Sequence, residues 1–407
     1  METPTAKPAE SSVPVNASRR PTVLIWVQHL LGTGHLERMR RIAEALSALN
    51  VDVHFVTGGV PLPGRMPMGV RIVQLPPVKV TDASFTPLRD SEGVPIDDAF
   101  RAVRAARLLE TFDAAQPDVV LFETFPFGRR SLRFELMPLL ERIETAKPRP
   151  LVVSSIRDIL QLQEKPGRDA ESWELARRWF DEVLVHGDPA FVRLDESFPL
   201  ASDGRVALHY TGYVTSPEAA PPRAPLEEQR EIVVSAGGGA TGTHVLHAAI
   251  AARPLSSYRN LMWRVLVGPG IAEEDFQALV AKSEHGLVVE RNRHDFAMLL
   301  SRARVSVSQG GYNTVMDVLR SGAPAVVVPF AMRSETEQRM RAERLAARGA
   351  IDIVEESELA PPTLAAAIDR AASRGARGAL PFATEGAQRS AARLLELARG
   401  RDPAPER

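Results

Sequence analysis

The chain has 407 residues, of which 44% are hydrophobic and 25% charged, and its formal net charge is −1. This length suffices for two domains that each bury a core, and the balanced charge excludes the strongly basic surface typical of nucleic-acid binding. Because the chain contains no cysteine, disulfides, thiolate metal sites and cysteine nucleophiles are excluded.

Residues 1–20 are polar and are predicted to be a disordered tail without the apolar segment of a signal peptide. The longest apolar runs that follow have the length of strands, which predicts a cytoplasmic protein without a membrane-spanning helix. Predicted strands of the first half lie at 23–27, 51–56, 70–74, 118–122, 151–155, 182–185 and 206–210. Predicted strands of the second half lie at 231–235, 262–267, 286–289, 305–307, 325–328 and 351–353.

Helical stretches between these strands give the alternating rhythm of doubly wound parallel sheets, and so predict an α/β protein. A segment rich in Pro, Ala and Glu at 216–230 predicts a linker. We therefore expect two Rossmann-like domains, 21–215 and 231–382, that face each other across a cleft, with a last helix at 383–400 packing back on the first domain. Ligands of such sheets bind beyond the carboxyl ends of the strands.

The first predicted strand is followed by a glycine segment in which Gly34 and His35 open a helix. Gly34 permits close approach of a ligand and is a candidate for the acceptor side of the cleft. The positive end of the helix dipole should lower the pKa of His35 and favour the neutral imidazole that a general base needs. The alternative is a histidine that only caps the helix. Because Glu37 occupies the place of the third glycine of a dinucleotide fingerprint, nicotinamide binding is not expected.

Polar side chains also end the later strands of the first half, and they are candidates for binding an acceptor or for orienting the histidine. The alternative for each is a loop-capping or salt-bridged residue. The candidates are Glu123, Arg157 and Asp158, followed by His186 and Asp188.

Two glycine turns in the second half each lead from a strand into a helix. Free backbone N–H groups at such turns bind phosphate, and two turns in one domain favour a diphosphate. Asp317, one turn into the helix after the second glycine turn, is suited to a ribose diol. The predicted diphosphate ligands are Gly237, Gly238, Gly239, Thr241 and Gly242 in the first turn and Ser308, Gln309, Gly310 and Gly311 in the second.

A polar loop at 333–338 follows another strand of the second half. Glu337 and Gln338 are candidates for hydrogen bonds to sugar hydroxyls, and the alternative is an acidic first turn that complements a helix dipole. No Asp-x-Asp pair ends a strand and no His/Asp cluster has ligand spacing, so neither a metal nor another cofactor is predicted.

These patterns together resemble the GT-B glycosyltransferases, specifically glycosyltransferase family 28. The resemblance runs from about residue 21 to 400. It is closest to a bacterial group of predicted glycosyltransferases related to that family. Its motifs are Gly32-x-Gly-His-Leu, Phe125-Pro-Phe-Gly-Arg-Arg, His186-Gly-Asp-Pro and Tyr210-Thr-Gly-Tyr-Val.

The resemblance implies a role for each candidate residue. His35 would deprotonate the acceptor, and the two glycine turns would hold the diphosphate. Asp317 stands where the family has a ribose-binding glutamate, and the backbone around Arg293 would contact the base. Glu337 and Gln338 stand where a Gln-Gln pair contacts the donor sugar, so the replaced glutamine leaves the identity of the sugar open.

Retaining GT-B enzymes usually carry two glutamates at the positions of Gln309 and Asp317, so the resemblance implies an inverting reaction. It implies metal-independent transfer of a hexose-type sugar, N-acetylglucosamine being one candidate, from a UDP-sugar to an unidentified hydroxyl acceptor. That acceptor is a small molecule or is lipid-linked, which leaves peripheral membrane contact open. The alternatives are a nucleotide-sugar hydrolase or 2-epimerase of the same fold, in which His35 would activate water, and a non-catalytic nucleotide-sugar-binding protein.

Overall fold

Thirteen strands form two separate parallel sheets in the part of the chain that the computed structural model describes. The described residues are 19–30, 34–61, 68–80, 87–161, 163, 165–215, 221–237, 242–330, 336–375 and 382–400. Most of the predicted tail at 1–20 and part of the predicted linker, 216–220, therefore lie outside the described residues.

The first sheet has seven strands in the order β3-β2-β1-β4-β5-β6-β7. These are β1 (Thr22–Val27), β2 (Asp52–Thr57), β3 (Val70–Gln74), β4 (Val119–Glu123), β5 (Leu151–Arg157), β6 (Glu182–His186) and β7 (Ala207–Tyr210). The helices between them are α1 (Gly34–Ala48), α2 (Asp98–Ala115), α3 (Arg133–Thr145), α4 (Arg168–Trp179) and α5 (Leu194–Ser197).

The second sheet has six strands in the order β10-β9-β8-β11-β12-β13. These are β8 (Glu231–Ser235), β9 (Met262–Val267), β10 (Leu287–Arg291), β11 (Ala303–Ser308), β12 (Ala325–Val327) and β13 (Asp352–Ile353). Its helices are α6 (Thr243–Ala252), α7 (Glu273–Val280), α8 (Phe296–Arg302), α9 (Tyr312–Ser321), α10 (Glu337–Ala347) and α11 (Pro361–Arg374), and α12 (Gly386–Arg399) ends the described chain.

Strand β1 shows why the first sheet is covered on both faces. All six of its residues are buried, and successive side chains of a strand point to opposite faces. Leu24 and Trp26 pack in a core with apolar side chains of α2 and α3, whereas Val23 and Ile25 pack in a second core with α1 and α12. A strand buried on both faces has a continuous apolar sequence, as β1 does.

Helix α12 packs against the first domain although it follows the second sheet in the chain. Its Ala391 and Leu394 belong to the same core as Val23 of β1. On the flank of the helix, Nη2 of Arg393 lies 2.6 Å from Oε2 of Glu182 at the start of β6. The C-terminal segment therefore ties the end of the chain to the first sheet.

In both sheets the strand order reverses direction beside the first strand of the domain. The crevice between β1 and β4 is one such switch point, and the crevice between β8 and β11 is the other. Doubly wound sheets bind their ligands at such crevices, beyond the carboxyl ends of the strands. The α/β architecture with two doubly wound parallel sheets is thus confirmed, and it directs the search for a site to these two crevices.

The limits predicted for the domains, 21–215 and 231–382, stay predictions; in the structure β7 ends at Tyr210 and β8 begins at Glu231. No helix among the described residues is both long and apolar enough to cross a membrane.

Candidate active site

A histidine and a glutamate meet at the crevice of the first sheet. His35 is the second residue of α1, and Glu123 is the last residue of β4. Because β4 is paired with β1 in parallel, the end of β4 lies beside the helix that follows β1. Nδ1 of His35 is hydrogen-bonded to Oε1 of Glu123.

Glu123 is completely buried, and cations surround it. Nη2 of Arg38 donates to its Oε1 at 2.6 Å, Nη2 of Arg129 donates to its Oε2 at 3.1 Å, and the Thr124 hydroxyl donates to Oε1. Burial alone would raise the pKa of Glu123, but His35, Arg129 and Arg38 outweigh it and hold the pKa well below its ordinary value. The carboxylate is therefore ionised and can only accept hydrogen bonds.

The charge on Glu123 fixes the tautomer of His35. An ionised carboxylate needs a donor, so Nδ1 carries the proton and the lone pair stands on Nε2. Burial lowers the pKa of His35 to about 3; Glu123 opposes this effect, and Arg129 and Arg157 reinforce it. At neutral pH the imidazole is thus uncharged, with its acceptor nitrogen on the side away from Glu123.

Nε2 of His35 faces Arg157, the last residue of β5, at 3.5 Å from its Nη2. The other terminal nitrogen of Arg157, Nη1, donates to both oxygens of Glu337 from the second domain, at 3.0 and 2.8 Å. One guanidinium group therefore connects the histidine of the first domain with the first residue of α10.

A second ion pair crosses the same interface. Here the arginine belongs to the second domain and the carboxylate to the first. Nη2 of Arg341 in the second domain donates to Oδ1 of Asp158 at 2.8 Å and to Oε1 of Glu337 at 2.9 Å. The Tyr213 hydroxyl donates to Oδ2 of Asp158 at 3.0 Å. Burial alone would raise the pKa of Glu337, but Arg157 and Arg341 outweigh this effect and lower the pKa to about 2. The interface therefore contains a network of two arginines and two carboxylates, Arg157, Arg341, Glu337 and Asp158.

Aromatic rings pack beside this network. The rings of Tyr213 and Tyr312 lie 5.8 Å apart, and those of Phe191 and Phe382 lie 5.0 Å apart. The Tyr312 hydroxyl donates to the backbone oxygen of His186 at 3.2 Å, which joins the start of α9 to the end of β6. Apolar packing and ion pairs thus hold the two domains together at the mouth of the crevice.

The two predicted diphosphate turns come together at the crevice of the second sheet, because β8 and β11 are neighbours. Gly242 has a φ of +102°, and a Cβ atom there would lie 2.7 Å from Oε1 of Gln309. A Cβ atom at Gly237 would lie 3.8 Å from the Thr314 hydroxyl. The predicted ligands Gly238, Gly239 and Thr241 lie outside the described residues.

Unpartnered polar atoms mark the second of these turns. The Ser308 hydroxyl and Nε2 of Gln309 are buried and have no hydrogen-bond partner within the described part of the chain. Gly311 precedes α9, and no side chain caps that helix. Buried donors without partners are costly, so they are expected where a ligand supplies the acceptor.

Gln338 and Gly34 also lie near the second turn. A Cβ atom at Gly310 would lie 3.2 Å from Cβ of Gln338, whose Oε1 accepts from the backbone N of Phe330 at 3.2 Å. A Cβ atom at Gly34 would lie 3.0 Å from Nδ2 of Asn313. The N-termini of α1 and α9 therefore face each other across the domain boundary.

The two predicted nucleoside contacts lie in different surroundings. Asp317 lies on α9, where burial raises its pKa while Arg41 and Arg320 act in the opposite direction. Arg293 follows β10, and its guanidinium group donates to both oxygens of Asp295 at 2.7 Å. Their roles in nucleoside binding stay predictions.

Two of the predicted acceptor-side residues, Asp158 and His186, are buried and hydrogen-bonded to other side chains instead of being exposed. Asp158 is completely buried in the interface network. His186 is also buried, with Nε2 2.7 Å from the Ser155 hydroxyl and Nδ1 2.8 Å from the Thr211 hydroxyl. Of these candidates, Glu123 contacts Nδ1 of His35 and Arg157 faces its Nε2.

No group of three or more His, Asp, Glu or Cys side chains among the described residues is placed to hold a metal ion.

Comparisons with known proteins agree with this geometry. Residues 233–396 match the glycosyltransferase family 28 C-terminal domain. The MurG structure of Acinetobacter baumannii covers 93% of this chain and 99% of its own, with a TM-score of 0.53 and 15% identity. A UDP-glucose: anthocyanidin 3-O-glucosyltransferase structure covers 94% and 95%, with a TM-score of 0.56 and 12% identity. The chain therefore has the GT-B fold, and its residues 233–396 are similar to the family 28 C-terminal domain.

Two relatives in sequence have the same name, UDP-N-acetylglucosamine--N-acetylmuramyl-(pentapeptide) pyrophosphoryl-undecaprenol N-acetylglucosamine transferase. The protein of Rhizobium leguminosarum bv. trifolii (strain WSM2304) is 29% identical over 132 residues, which are 32% of this chain and 35% of that protein. The protein of Vibrio campbellii (strain ATCC BAA-1116) is 30% identical over 146 residues, 36% of this chain and 41% of that protein. The GT-B chain thus spans well under half the length of these relatives.

The sequence alone did not reveal the side chains that bind Glu123 and Asp158. Arg38 and Arg129 neutralise Glu123, and Arg341 and Tyr213 bind Asp158. The only available signal was the spacing of Glu337 and Arg341, which are four residues apart and so share one face of a helix.

Proposed function

We propose that this protein is an inverting glycosyltransferase that moves a hexose-type sugar from a UDP-sugar to a hydroxyl acceptor, with His35 as the general base. The observation that carries the proposal is the His35–Glu123 pair, which presents an unprotonated Nε2 beside the interface with the donor-side glycine turns. A neutral histidine held by an ionised carboxylate is the arrangement that accepts a proton from a hydroxyl.

The reaction follows from the atoms at the crevice. The acceptor oxygen forms a bond to the anomeric carbon while the bond from that carbon to the diphosphate oxygen breaks, and the acceptor proton passes to Nε2 of His35. Glu123 stabilises the imidazolium ion that forms. The N-terminus of α9, with Ser308 and Gln309, stabilises the negative charge that grows on the leaving diphosphate. The products are an inverted glycoside and UDP.

The pKa of His35 is low in the protein without substrate, and we expect donor binding to raise it. Arg129 and Arg157 lower the pKa of His35, and a bound diphosphate would compensate their charge. Its arrival should raise the pKa of the imidazole and make it a stronger base, because a nearby negative charge favours the protonated form. The base would thus be strengthened when the donor is in place.

The choice of substrates rests on the relatives. Their common name specifies a UDP-N-acetylglucosamine donor and an undecaprenol-linked acceptor. We infer a UDP-sugar donor for this chain, and a lipid-linked molecule as the first acceptor to be tried. Glu337 in place of a glutamine of the family's pair leaves the sugar to be determined.

The test is whether UDP release depends on an acceptor. The full chain is incubated with UDP-N-acetylglucosamine, UDP-glucose or UDP-galactose, with and without a bacterial lipid extract, and UDP and the sugar products are quantified. Transfer predicts UDP release that requires the extract and a labelled lipid product. Free sugar formed without extract would favour a hydrolase, an epimerised UDP-sugar would favour an epimerase, and tight UDP binding without turnover would favour a binding protein.

A further inference from the structure

We propose that Glu337 is a positioning residue and not a ligand of the donor sugar: it holds the Arg157 guanidinium group against His35, so that a residue of the donor domain sets the geometry of the acceptor-side base. This inference rests on the proposed function, because it assigns a base role to His35. It departs from the role that the resemblance implies for position 337.

Arg157 contacts both Glu337 and His35. Its Nη1 is bonded to both oxygens of Glu337, at 3.0 and 2.8 Å, and its Nη2 lies 3.5 Å from Nε2 of His35. The guanidinium group is a rigid planar fork, so fixing one of its nitrogens also fixes the direction of the other. Glu337 therefore determines where Arg157 stands relative to the lone pair of the base.

Glu337 is not free to turn towards a sugar. Its Oε1 also accepts from Arg341, which in turn binds Asp158, and the side chain of Arg341 is completely buried. Both guanidinium groups that bind Glu337 lie over the ring of Tyr312, at 5.8 and 5.3 Å from its centroid. Moving the carboxylate would leave buried charges unpaired, which is strongly destabilising.

Glu337 is the first residue of α10. The next residue, Gln338, lies against Gly310 of the donor-side glycine turn. Of the first two residues of α10, Glu337 thus contacts Arg157, which faces the base, and Gln338 contacts the donor-side turn. Separation of the domains would break the pair between Glu337 and Arg157, so the base is aligned only while the cleft is closed.

The charged groups around His35 come from several elements, and three of them, Glu123, Arg129 and Arg157, act on its pKa directly. Glu123 and Arg129 approach it from the end of β4 and the loop that follows, and Arg157 approaches it from β5. Arg38 of α1 acts through Glu123, and Glu337 of α10 acts through Arg157. Only the last of these groups belongs to the second domain.

The first experiment compares Glu337→Gln with Glu196→Gln, the matched control. Glu196 forms another ion pair across the interface, with Arg344, and no bond links it to His35. We expect Glu337→Gln to lower kcat between about 10- and 100-fold, since a small displacement of a catalytic group has effects of that size, with the donor KM within about twofold of wild type. Glu196→Gln should leave both unchanged. A raised donor KM with unchanged kcat for Glu337→Gln, or an equal loss of kcat in Glu196→Gln, would overturn the proposal.

The second experiment does not need turnover, so it separates this inference from the proposed function. In Arg157→Lys the ammonium group can still pair with Glu337, but it has no second nitrogen to reach His35. The imidazole of His35 is followed by NMR in the full chain labelled at histidine, with His35→Gln for assignment. We expect the Arg157→Lys change to shift the His35 ring signals at neutral pH and to raise the pKa, while Glu196→Gln leaves both as in wild type. Identical spectra and titrations in Arg157→Lys and wild type would contradict the positioning role.

Discussion

At the scale of single residues, the site depends on one buried carboxylate that orients one histidine. Glu123 is the only described residue that hydrogen-bonds to Nδ1 of His35, and it is ionised because Arg38 and Arg129 compensate its burial. The carboxylate thus selects the tautomer in which Nε2 is the acceptor.

Replacement of Glu123 by glutamine should remove that selection. An amide can also donate a hydrogen bond to Nδ1, which would place the proton on Nε2, and by analogy with other His–carboxylate pairs we expect kcat to fall between about 100- and 10,000-fold. Affinity for UDP, measured by calorimetry, should change little because Glu123 lies in the acceptor domain. Glu37→Gln, an exchange on the same helix at a carboxylate that binds Arg40, is the control and should retain full activity.

The pKa of His35 should respond to the nucleotide. In the free protein burial lowers that pKa to about 3, and Arg129 and Arg157 add to the effect. Bound UDP adds negative charge near these arginines, so the pKa is expected to rise. NMR titration of the histidine signals with and without UDP measures it, with exposed His285 as the internal control. A His35 pKa that UDP leaves unchanged or lowers would contradict the proposed link between donor and base.

At the scale of elements, the proposed donor side depends on two glycine turns in which a side chain at Gly242 or Gly310 would crowd its neighbours. Gly242 combines a positive φ with a close approach to Gln309, and Gly310 lies against Gln338. These requirements were visible in the sequence because glycine is the residue that tolerates both.

A matched pair of glycine substitutions tests the turn. Gly242→Ala adds backbone strain and a methyl group 2.7 Å from Oε1 of Gln309, whereas Gly167→Ala adds similar left-handed strain at a φ of +80° with no atom of the described residues within 4 Å. Each should reduce the free energy of unfolding by about 1 kcal/mol. Only Gly242→Ala should weaken UDP binding, by about tenfold or more for a loss above 1.4 kcal/mol. Equal UDP affinity of the two variants in calorimetry would remove this turn from the donor site.

The sequence was sufficient to predict the strands and the glycine turns. It was not sufficient to predict which side chains pair with each other in the site. Continuous apolar strands such as β1 and the glycine turns at Gly242 and Gly310 follow local rules, so the two sheets and the loops at their edges were predictable. The pairing of His35 with Glu123 joins residues 88 positions apart, and that of Arg157 with Glu337 joins residues 180 positions apart. Such pairs depend on how strands and domains are arranged in space, and no periodicity along the chain encodes them.

At the scale of the whole molecule, the two domains meet through buried ion pairs, and this makes stability depend on pH. Arg157 and Arg341 lower the pKa of Glu337 to about 2 against an ordinary value of 4.5. A carboxyl group whose pKa is lower in the folded state stabilises that state above pH 4.5, and this contribution is lost as the pH falls towards 2.

Glu337→Gln should therefore destabilise the protein at pH 7, by about 3 kcal/mol for a shift of this size. The difference from wild type should shrink as the pH is lowered below 4.5. Urea unfolding of both proteins at pH 7, 4 and 3 measures this trend, and Glu196→Gln, whose carboxylate is partly exposed, should show a much smaller difference at every pH. A destabilisation by Glu337→Gln that is constant across this range would show that the ion pair is not its cause.

The central claim is that His35 is the base of a UDP-sugar transferase, and the most direct measurement is the kinetic comparison of His35→Ala with wild type and with His285→Ala. Initial rates of sugar transfer and the affinity for UDP are determined for all three proteins. We predict that His35→Ala loses at least about 100-fold in kcat while its UDP affinity stays within a few fold of wild type, and that His285→Ala behaves as wild type. Turnover by His35→Ala at the wild-type rate would contradict the account.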